Sequence, residues 1–425
     1  SSSAASDVYK RQRITRARAA PGRPRRGAEK ATPLHAQKPR RMATFIMMLS
    51  GGSGVRRARI RVFRTSKAQG RGWGPRGSVH RLTMSKAEDA QPLGGPAPKR
   101  QRSPPQGFNP TKYVVLSYKT LDTFARRLEA ADPERFSVYE TKWGKFDDSG
   151  MDNIVMGGFS PVNVVMRSHV LFLADFNSND AILSQLHVLV MLCESFIATL
   201  TIYLPYLPTA TMERITVEGE VATANTVCRI LSGLPHTGGP SRIMFYDLHT
   251  LQNRFYLHTG AIATMHTTIP LIKEVLARKG SPIEAIAFPD EGAQKRFGSL
   301  FAEYDVVTCG KKRVGNERNV VIQDGDCQGK HVLIIDDMVK TGGTLVECAK
   351  ALMLHGASAV SAYCAHAAFP HGAEYRFCKG GDRAVFSTFF VTNSNTTVVE
   401  RILALPKEET LFEVLDILPL VINDL

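Results

Sequence analysis

Residues 331–356, HVLIIDDMVKTGGTLVECAKALMLHG, combine a short apolar run, a polar loop and a helical pattern. The apolar run at 332–335 is rich in β-branched residues, which favours a buried strand. It ends at Asp336-Asp337, and the small residues Thr341-Gly342-Gly343-Thr344 follow shortly afterwards. The helical pattern then runs to His355-Gly356, a typical helix stop. This order of elements predicts a strand–loop–helix unit of a parallel sheet.

The same alternation of strand and helix patterns continues along the chain in both directions. Helical patterns occupy 181–195 and 268–280, and further strand patterns occupy 169–176, 199–208, 241–248, 283–289, 304–310 and 359–367. Strands that alternate with helices of this length are typical of βαβ units. We therefore predict an α/β fold with mostly parallel sheets, in two domains at 107–262 and 263–425.

Acidic side chains lie at the ends of four of these predicted strands, at Asp175, Asp247, Asp290 and Asp336. In open parallel sheets, ligands bind beyond the carboxyl ends of the strands. The sequence therefore predicts that the functional site lies at these ends.

The basic charge of the chain is concentrated in residues 1–106. This segment holds 25 of the 54 Lys and Arg but only 4 of the 39 Asp and Glu, which leaves the remainder with 29 basic and 35 acidic side chains. Its Arg-, Gly-, Pro- and Ser-rich composition predicts a disordered tail. The mildly acidic remainder does not indicate a nucleic-acid-binding face, so we expect no nucleic-acid partner. An RNA-binding basic arm in the tail is an alternative.

The cellular compartment depends on where translation starts. The chain does not begin with Met, so part of the tail is upstream or artefactual sequence on one interpretation. From Met42 there is no acid before Glu88, as in organellar transit peptides, which predicts a plastid or a mitochondrion. A start at Met84 predicts a cytoplasmic protein, the interpretation that we favour.

Two compositional features bound the protein class. No apolar run approaches the roughly 18–20 residues of a membrane helix, so we expect no membrane association. The seven cysteines are scattered and lack CxxC spacing, which predicts reduced intracellular thiols and neither disulfides nor a zinc site.

The loop at 341–344 has two interpretations. Backbone N–H groups of a Thr-Gly-Gly-Thr turn at a helix start can hold a phosphate, and the two upstream carboxylates suit neighbouring hydroxyls. One phosphate and two adjacent hydroxyls describe a ribose 5-phosphate. Alternatively, Asp337 caps the helix and the glycines only connect it to the strand. The loop is not a Walker motif, because the Lys-Ser/Thr ending is absent.

The loop resembles the phosphoribosyl-diphosphate (PRPP) loop of phosphoribosyltransferases and ribose-phosphate diphosphokinases. Three more segments resemble the plant-type, class II diphosphokinases: PTATMERITVEGEVATANTVCRILSGLP (208–235), SRIMFYDLHTLQNRFY (241–256) and AIAFPDEGAQKRF (285–297). The resemblance implies two tandem phosphoribosyltransferase-like domains, with ATP at 107–262 and ribose 5-phosphate at 263–425. The implied reaction moves the diphosphoryl group of ATP to the 1-hydroxyl of ribose 5-phosphate, giving PRPP and AMP.

The resemblance also implies roles for individual residues. It assigns the hydroxyls of ribose 5-phosphate to Asp336 and Asp337, and the 5-phosphate to Thr341, Gly342, Gly343 and Thr344. It places Arg214 and His249 at the phosphates of ATP and gives Mg²⁺ the ligands His249 and Asp290. Lys340 departs from the family pattern, which more often has an acid or an amide, and we expect it to point to solvent.

Two polar segments complete the implied site. The composition of CGKKRVGNER (309–318) predicts a mobile loop, and the resemblance makes it a flap whose Lys311 and Arg313 act on the transferred group. WGKFDDSGMDN (143–153) resembles the adenine loop, with Phe146 and Asp148 as counterparts. In the family this loop reaches the ATP of a neighbouring subunit, which implies a homo-oligomer with a shared ATP site.

Two other functions remain as alternatives. A salvage phosphoribosyltransferase would use the same loop but lack the flap and His249. A catalytically silent regulatory subunit would tend to lose residues of the flap or the loop. The chain retains His249 and the residues of the flap and the loop, which favours the active diphosphokinase.

Overall fold

A computed structural model describes residues 111–314 and 317–425, with only the backbone described over 311–319. The predicted tail at 1–106 lies outside these residues. The described part is an α/β fold built around two mostly parallel sheets of six and seven strands. It confirms the predicted fold class.

The first sheet is entirely parallel, in the order β2-β1-β5-β6-β7-β8. A small antiparallel hairpin, β3 and β4, is inserted between its second and third strands in the chain. The strands are β1 (Tyr113–Ser117), β2 (Phe136–Val138), β3 (Lys142–Lys145), β4 (Asp152–Val155), β5 (His169–Leu173), β6 (Thr199–Tyr203), β7 (Ser241–Tyr246) and β8 (Ala261–His266).

The second sheet has the order β11-β10-β9-β12-β13-β14-β15 and is parallel except for the β10–β11 pair. Its central strands are apolar over most of their length because helices cover both faces. The strands are β9 (Ala285–Phe288), β10 (Asp305–Val314), β11 (Glu317–Asp324), β12 (His331–Val339), β13 (Ala359–Ala367), β14 (Phe389–Thr392) and β15 (Phe412–Leu415).

Helices connect the strands and cover the sheets. The α-helices are α1 (Asp122–Ala131), α2 (Asn179–Glu194), α3 (Thr223–Ser232), α4 (Ile269–Leu276), α5 (Glu291–Phe297), α6 (Gly343–Leu354), α7 (Thr396–Leu403) and α8 (Leu418–Asp424). Short 3₁₀ helices cover Lys119–Leu121, Pro208–Thr211, Leu251–Tyr256, Gly298–Phe301 and Pro370–Phe377.

The last helix of the chain packs on the first sheet. Leu418 and Val421 of α8 belong to the same buried cluster as Val115 of β1 and Phe124 of α1. The Tyr246 hydroxyl, at the end of β7, donates a hydrogen bond to Asp424 Oδ2 at 2.7 Å. The C-terminal segment therefore completes the core of the first sheet.

The proposed domain boundary at 262 falls within β8, which pairs with β7 and extends the first sheet to His266. Two other local predictions need correction. Residues 309–314 and 317–318, from the segment predicted as a mobile loop, lie in the paired strands β10 and β11, where Lys311 pairs with Val320 and Arg313 with Arg318. Strand β12 does not stop at the two acids but continues through them to Val339, because it keeps pairing with β13.

Two further findings bear on the protein class. All seven cysteines are buried and have free thiols. Among residues 111–314 and 317–425, no helix has the length and apolar character needed to cross a bilayer.

Candidate active site

A cavity of about 1030 Å³ lies where residues from the ends of both sheets meet. It collects nine of the thirteen predicted site residues: Arg214, His249, Asp290, Asp336, Asp337, Thr341, Gly342, Gly343 and Thr344. Of the four strand-end acids, Asp290 and Asp336 line the cavity, and the buried Asp247 lies 3.7 Å from Arg296 in its lining. Asp175 does not line the cavity, and its carboxylate accepts a hydrogen bond from Thr120 Oγ1 at 2.6 Å.

The loop between β12 and α6 turns at Gly342 into the first turn of α6. Gly342 adopts a left-handed conformation, with φ of 75°, immediately before the first turn of α6. A Cβ at this position would lie 2.3 Å from Cζ of the buried Phe377. Glycine is therefore required at 342 both for its backbone angle and for space. The alternative that Asp337 caps the helix is wrong, because α6 begins after Gly342 and Asp337 lies within β12.

The two acids of β12 have different environments. Burial and the neighbouring charge of Asp337 raise the pKa of Asp336 well above its usual value. Burial also opposes ionisation of Asp337, but the hydrogen bond from His249 and the positive charges of His249 and Arg296 lower the pKa of Asp337 overall. The environment therefore shifts the pKa values of the two neighbouring carboxyl groups in opposite directions.

His249 follows β7 of the first sheet and contacts β12 of the second. Its Nδ1 lies 2.8 Å from Asp337 Oδ2, and this hydrogen bond raises the pKa of His249 despite partial burial of the ring. Because the carboxylate accepts the proton on Nδ1, Nε2 is the ring nitrogen left for a ligand. This contact joins the predicted ATP side to the predicted ribose side.

Arg296 is the residue that sequence reasoning missed at this junction. It lies at the end of α5, and its Nη1 is 3.1 Å from the carbonyl oxygen of His249 and 3.5 Å from Asp337 Oδ2. Its Nη2 is 3.7 Å from Oδ1 of the buried Asp247. The only signal in the sequence was its place in the helix after a strand-end acid, which does not reveal contacts with β7 and β12.

Three other polar side chains line the cavity. Asp290 Oδ1 accepts the backbone N–H of Ala293 at 3.0 Å, so it caps α5 and leaves Oδ2 for a ligand. The side chain of Arg214 is 76% exposed, and its Nε donates to Glu213. Lys340 does not simply point to solvent as expected, because its Nζ donates to Thr211 Oγ1 at 2.8 Å.

Four predicted site residues are not gathered here. Phe146 and Asp148 lie in the turn between β3 and β4, away from the cavity lining, and Phe146 is 50% exposed. The backbone of Lys311 and Arg313 lies in β10, whereas their side chains are outside the described part of the chain.

Comparison with known proteins agrees with this geometry. The phosphoribosyl transferase domain family matches residues 302–391, a range that includes the loop at 341–344. "Ribose-phosphate pyrophosphokinase 4" of Oryza sativa subsp. japonica is 40% identical over 287 residues, which cover 66% of this chain and 87% of the relative. The chain belongs to the ribose-phosphate pyrophosphokinase family.

Other members of the ribose-phosphate pyrophosphokinase family are similar over a comparable length. "Ribose-phosphate pyrophosphokinase 3, chloroplastic" of Arabidopsis thaliana is 41% identical over 312 residues, or 72% of this chain and 74% of the relative. The crystal structure of phosphoribosylpyrophosphate synthetase from Mycobacterium smegmatis covers 74% of this chain and 97% of its own, with a TM-score of 0.58 at 21% identity. That structure supports the fold, and the plant relatives support the class II resemblance.

Proposed function

We propose that this pyrophosphokinase transfers the diphosphoryl group of ATP to the 1-hydroxyl of ribose 5-phosphate, giving PRPP and AMP. The observation that carries the proposal is the 2.8 Å contact between His249 Nδ1 and Asp337 Oδ2. It brings the strand end assigned to ATP against the strand end assigned to ribose, inside one cavity. Transfer between two bound substrates requires that their sites adjoin in this way.

The acceptor half would bind ribose 5-phosphate through the end of β12 and the start of α6. The N-terminus of α6 and the turn at Thr341–Thr344 suit the 5-phosphate, since backbone N–H groups and the helix dipole both favour an anion. A protonated Asp336 can donate a hydrogen bond and an ionised Asp337 can accept one. Two adjacent ribose hydroxyls complement that pair.

The donor half would hold the phosphates of ATP beside His249 and the exposed Arg214. Diphosphoryl transfer depends on positioning and on cations that meet the charge developing in the transition state. We assign that catalytic role to Lys311 and Arg313. Their hairpin position supports the assignment, because β10 lies beside β9, the strand that leads to Asp290.

The residues present fit a Mg²⁺ ion. Nε2 of His249 and Oδ2 of Asp290 are the donor atoms that their protein contacts leave free. No cluster of three or more His, Cys, Asp or Glu with metal-binding geometry occurs among the residues described. Such a sparse donor set suits Mg²⁺, which binds through one or two protein ligands and substrate phosphates and keeps several waters. Held by these two residues, Mg²⁺ would offset the negative charge of the ATP phosphates.

We further propose that residues 107–262 form the ATP half and residues 263–425 the ribose 5-phosphate half, with β8 shared across that boundary. The exposed hairpin turn with Phe146 and Asp148 would reach the cavity of a neighbouring subunit in a homo-oligomer. Mixing an inactive Phe146→Ala, Asp148→Ala protein with an inactive His249→Ala protein tests this. Activity restored on mixing supports a shared site, and no restoration argues against it.

The compartment follows from the start of translation. A relative named chloroplastic supports an organelle, which corresponds to a start at Met42. A start at Met84 would give the cytoplasmic protein favoured by the sequence. N-terminal sequencing of the native protein distinguishes the two.

The assay for the reaction uses the full chain with ATP, Mg²⁺ and ribose 5-phosphate. We expect AMP and PRPP in equal amounts, and no AMP when ribose 5-phosphate is omitted. Formation of ADP would show transfer of a single phosphoryl group and contradict the proposal. Nucleotide formation from PRPP and a free base would instead support a salvage phosphoribosyltransferase.

A further inference from the structure

Arg296 contacts three residues in two separate segments of the molecule. Its Nη1 is 3.1 Å from the carbonyl oxygen of His249 and 3.5 Å from Asp337 Oδ2. Its Nη2 is 3.7 Å from Asp247 Oδ1. One guanidinium on α5 thus links the ends of β7 and β12, which belong to different sheets.

The partners of Arg296 are themselves held in place. Asp247 is 2% exposed, and its carboxylate accepts hydrogen bonds from Thr267 Oγ1 and from the backbone N–H of Thr268, each at 2.7 Å. The Thr268 hydroxyl in turn lies 2.6 Å from that of Tyr363 in β13. Asp247 is therefore a fixed anchor for the guanidinium, tied to both sheets.

At the other end of the guanidinium, Asp337 Oδ2 is shared between Arg296 and His249. Losing Arg296 would leave this oxygen with one partner and the carbonyl of His249 without this hydrogen bond. Both losses act on the side chain of His249. One frees the backbone of His249, and the other frees the Asp337 carboxylate that orients its ring. A rigid multi-donor side chain is needed here, which favours Arg over Lys.

We propose that Arg296 is a positioning residue for diphosphoryl transfer, holding the His249–Asp337 pair so that the donor and acceptor halves keep their reacting geometry. The inference rests on the proposed function. Arg296 lines the cavity, but its side chain is only 16% exposed and its Nη1 and Nη2 contact protein oxygens, so we assign it a role through other residues. The adjacent Lys295, whose side chain is 76% exposed, has the accessibility expected of a cation that reaches substrate directly.

The test compares Arg296→Gln and Arg296→Lys with a matched control, Arg278→Gln. Arg278 also pairs with a carboxylate, Glu413 at 2.9 Å, but it is largely exposed and does not line the cavity. We expect kcat of the Arg296→Gln protein to fall about 100-fold, the cost of a misplacement near 1 Å. The KM values for ATP and ribose 5-phosphate should change much less, and Arg296→Lys should restore only a small part of kcat. The Arg278→Gln protein should keep both parameters.

A second comparison tests whether Arg296 acts through Asp337. If it does, adding Arg296→Gln to an Asp337→Asn protein should cause little further loss of kcat, because residues that act as a unit are not additive. Multiplied losses would show that Arg296 acts on its own and would overturn the proposal. Binding of ribose 5-phosphate alone, measured by calorimetry without Mg²⁺ or ATP, should stay within about threefold of the unaltered protein, since Arg296 makes no direct substrate contact in the proposal.

The remaining outcomes also overturn either the inference alone or the inference together with the proposed function. An unchanged kcat, or a rise in either KM that accounts for the whole loss, overturns the inference alone. So does a fall in kcat that matches the unfolded fraction seen by circular dichroism. Absence of AMP and PRPP from the unaltered protein overturns the proposed function and the inference together.

Discussion

Replacing Gly342 by Ala should destabilise the protein through two effects at one position. Gly342 has a left-handed backbone, and its new Cβ would lie 2.3 Å from Phe377 Cζ. The backbone effect costs a non-glycine residue roughly 1–2 kcal/mol, and forced overpacking costs about 1–3 kcal/mol. Phe377 cannot easily give way, because its ring packs 5.5 Å from Phe369 and 5.4 Å from Phe389 between centroids.

The combined loss of about 2–5 kcal/mol is a large part of the ~5–15 kcal/mol that stabilises a typical domain. Gly343→Ala is the matched control, since a Cβ there meets nothing within 4 Å. At this first helical position, Ala should raise the free energy of unfolding by about 0.4–1 kcal/mol. Because Gly343 lines the cavity, its methyl group should nevertheless weaken binding of ribose 5-phosphate.

Urea unfolding followed by far-UV circular dichroism measures both effects. A third protein, Gly342→Ala with Phe377→Leu, tests the clash itself. Phe377→Leu alone should cost roughly 1–2 kcal/mol, but it makes room for the new methyl group, so the double variant should lose less than the sum of the single losses. Equal unfolding midpoints for Ala at 342 and at 343, or strictly additive losses, would refute the reasoning.

Three further results are expected from single sites. Asp336→Asn should raise the unfolding temperature near pH 8. Burial raises the pKa of Asp336 in the folded state, so its ionised carboxylate opposes folding at pH values above the unfolded-state pKa of ~3.9. The gain should vanish near pH ~3, where this carboxyl group is protonated in both the folded and the unfolded state. Arg401→Met should cost about 2–4 kcal/mol of unfolding free energy, because it leaves the fully buried Glu374 unpaired, and adding Glu374→Met should recover much of that loss. Alanine at both Lys311 and Arg313 should lower turnover by roughly 10³-fold with the urea midpoint unchanged, and an unchanged rate would remove them from the mechanism.

The sequence could predict where the candidate site lies because that prediction needs only the positions of the strand ends, which are local features of the chain. Apolar runs, their spacing and the residues that follow each run are all visible in the chain, and parallel strands present their carboxyl ends on one side of a sheet. Strand β13 was predicted with its observed bounds, Ala359–Ala367, because most of its residues are apolar or small. Asp290 and Asp336 line the same cavity for the same reason.

The contacts that join the two halves were beyond sequence reasoning. His249 and Asp337 are 88 positions apart, and Arg296 and Asp337 are 41 apart. Such pairs depend on how one sheet is placed against the other, which no periodicity records. The contact of Lys340 with Thr211 has the same origin, and it gives this exposed side chain a partner that the sequence did not predict.

The hairpin of β10 and β11 shows a different limit. Glycine and charge within 309–318 are typical of a loop, yet Val320 and Ile322 of β11 pack against the core of the second sheet. Tertiary packing of β11 therefore overrides the local composition of the segment. In the opposite direction, β5 and β7 end at Leu173 and Tyr246, short of the predicted strand ends at 176 and 248.

The packing of α8 on the first sheet has a consequence for biosynthesis. The ribosome makes β1 and α1 long before Leu418 and Val421, which share their cluster. At ~5–20 residues per second, the roughly 150 residues between β8 and Val421 take about 8–30 s to translate. During that interval the cluster lacks the cover that Leu418 and Val421 provide. Nascent molecules of this enzyme should therefore depend on chaperones at the first half until the second half has been made.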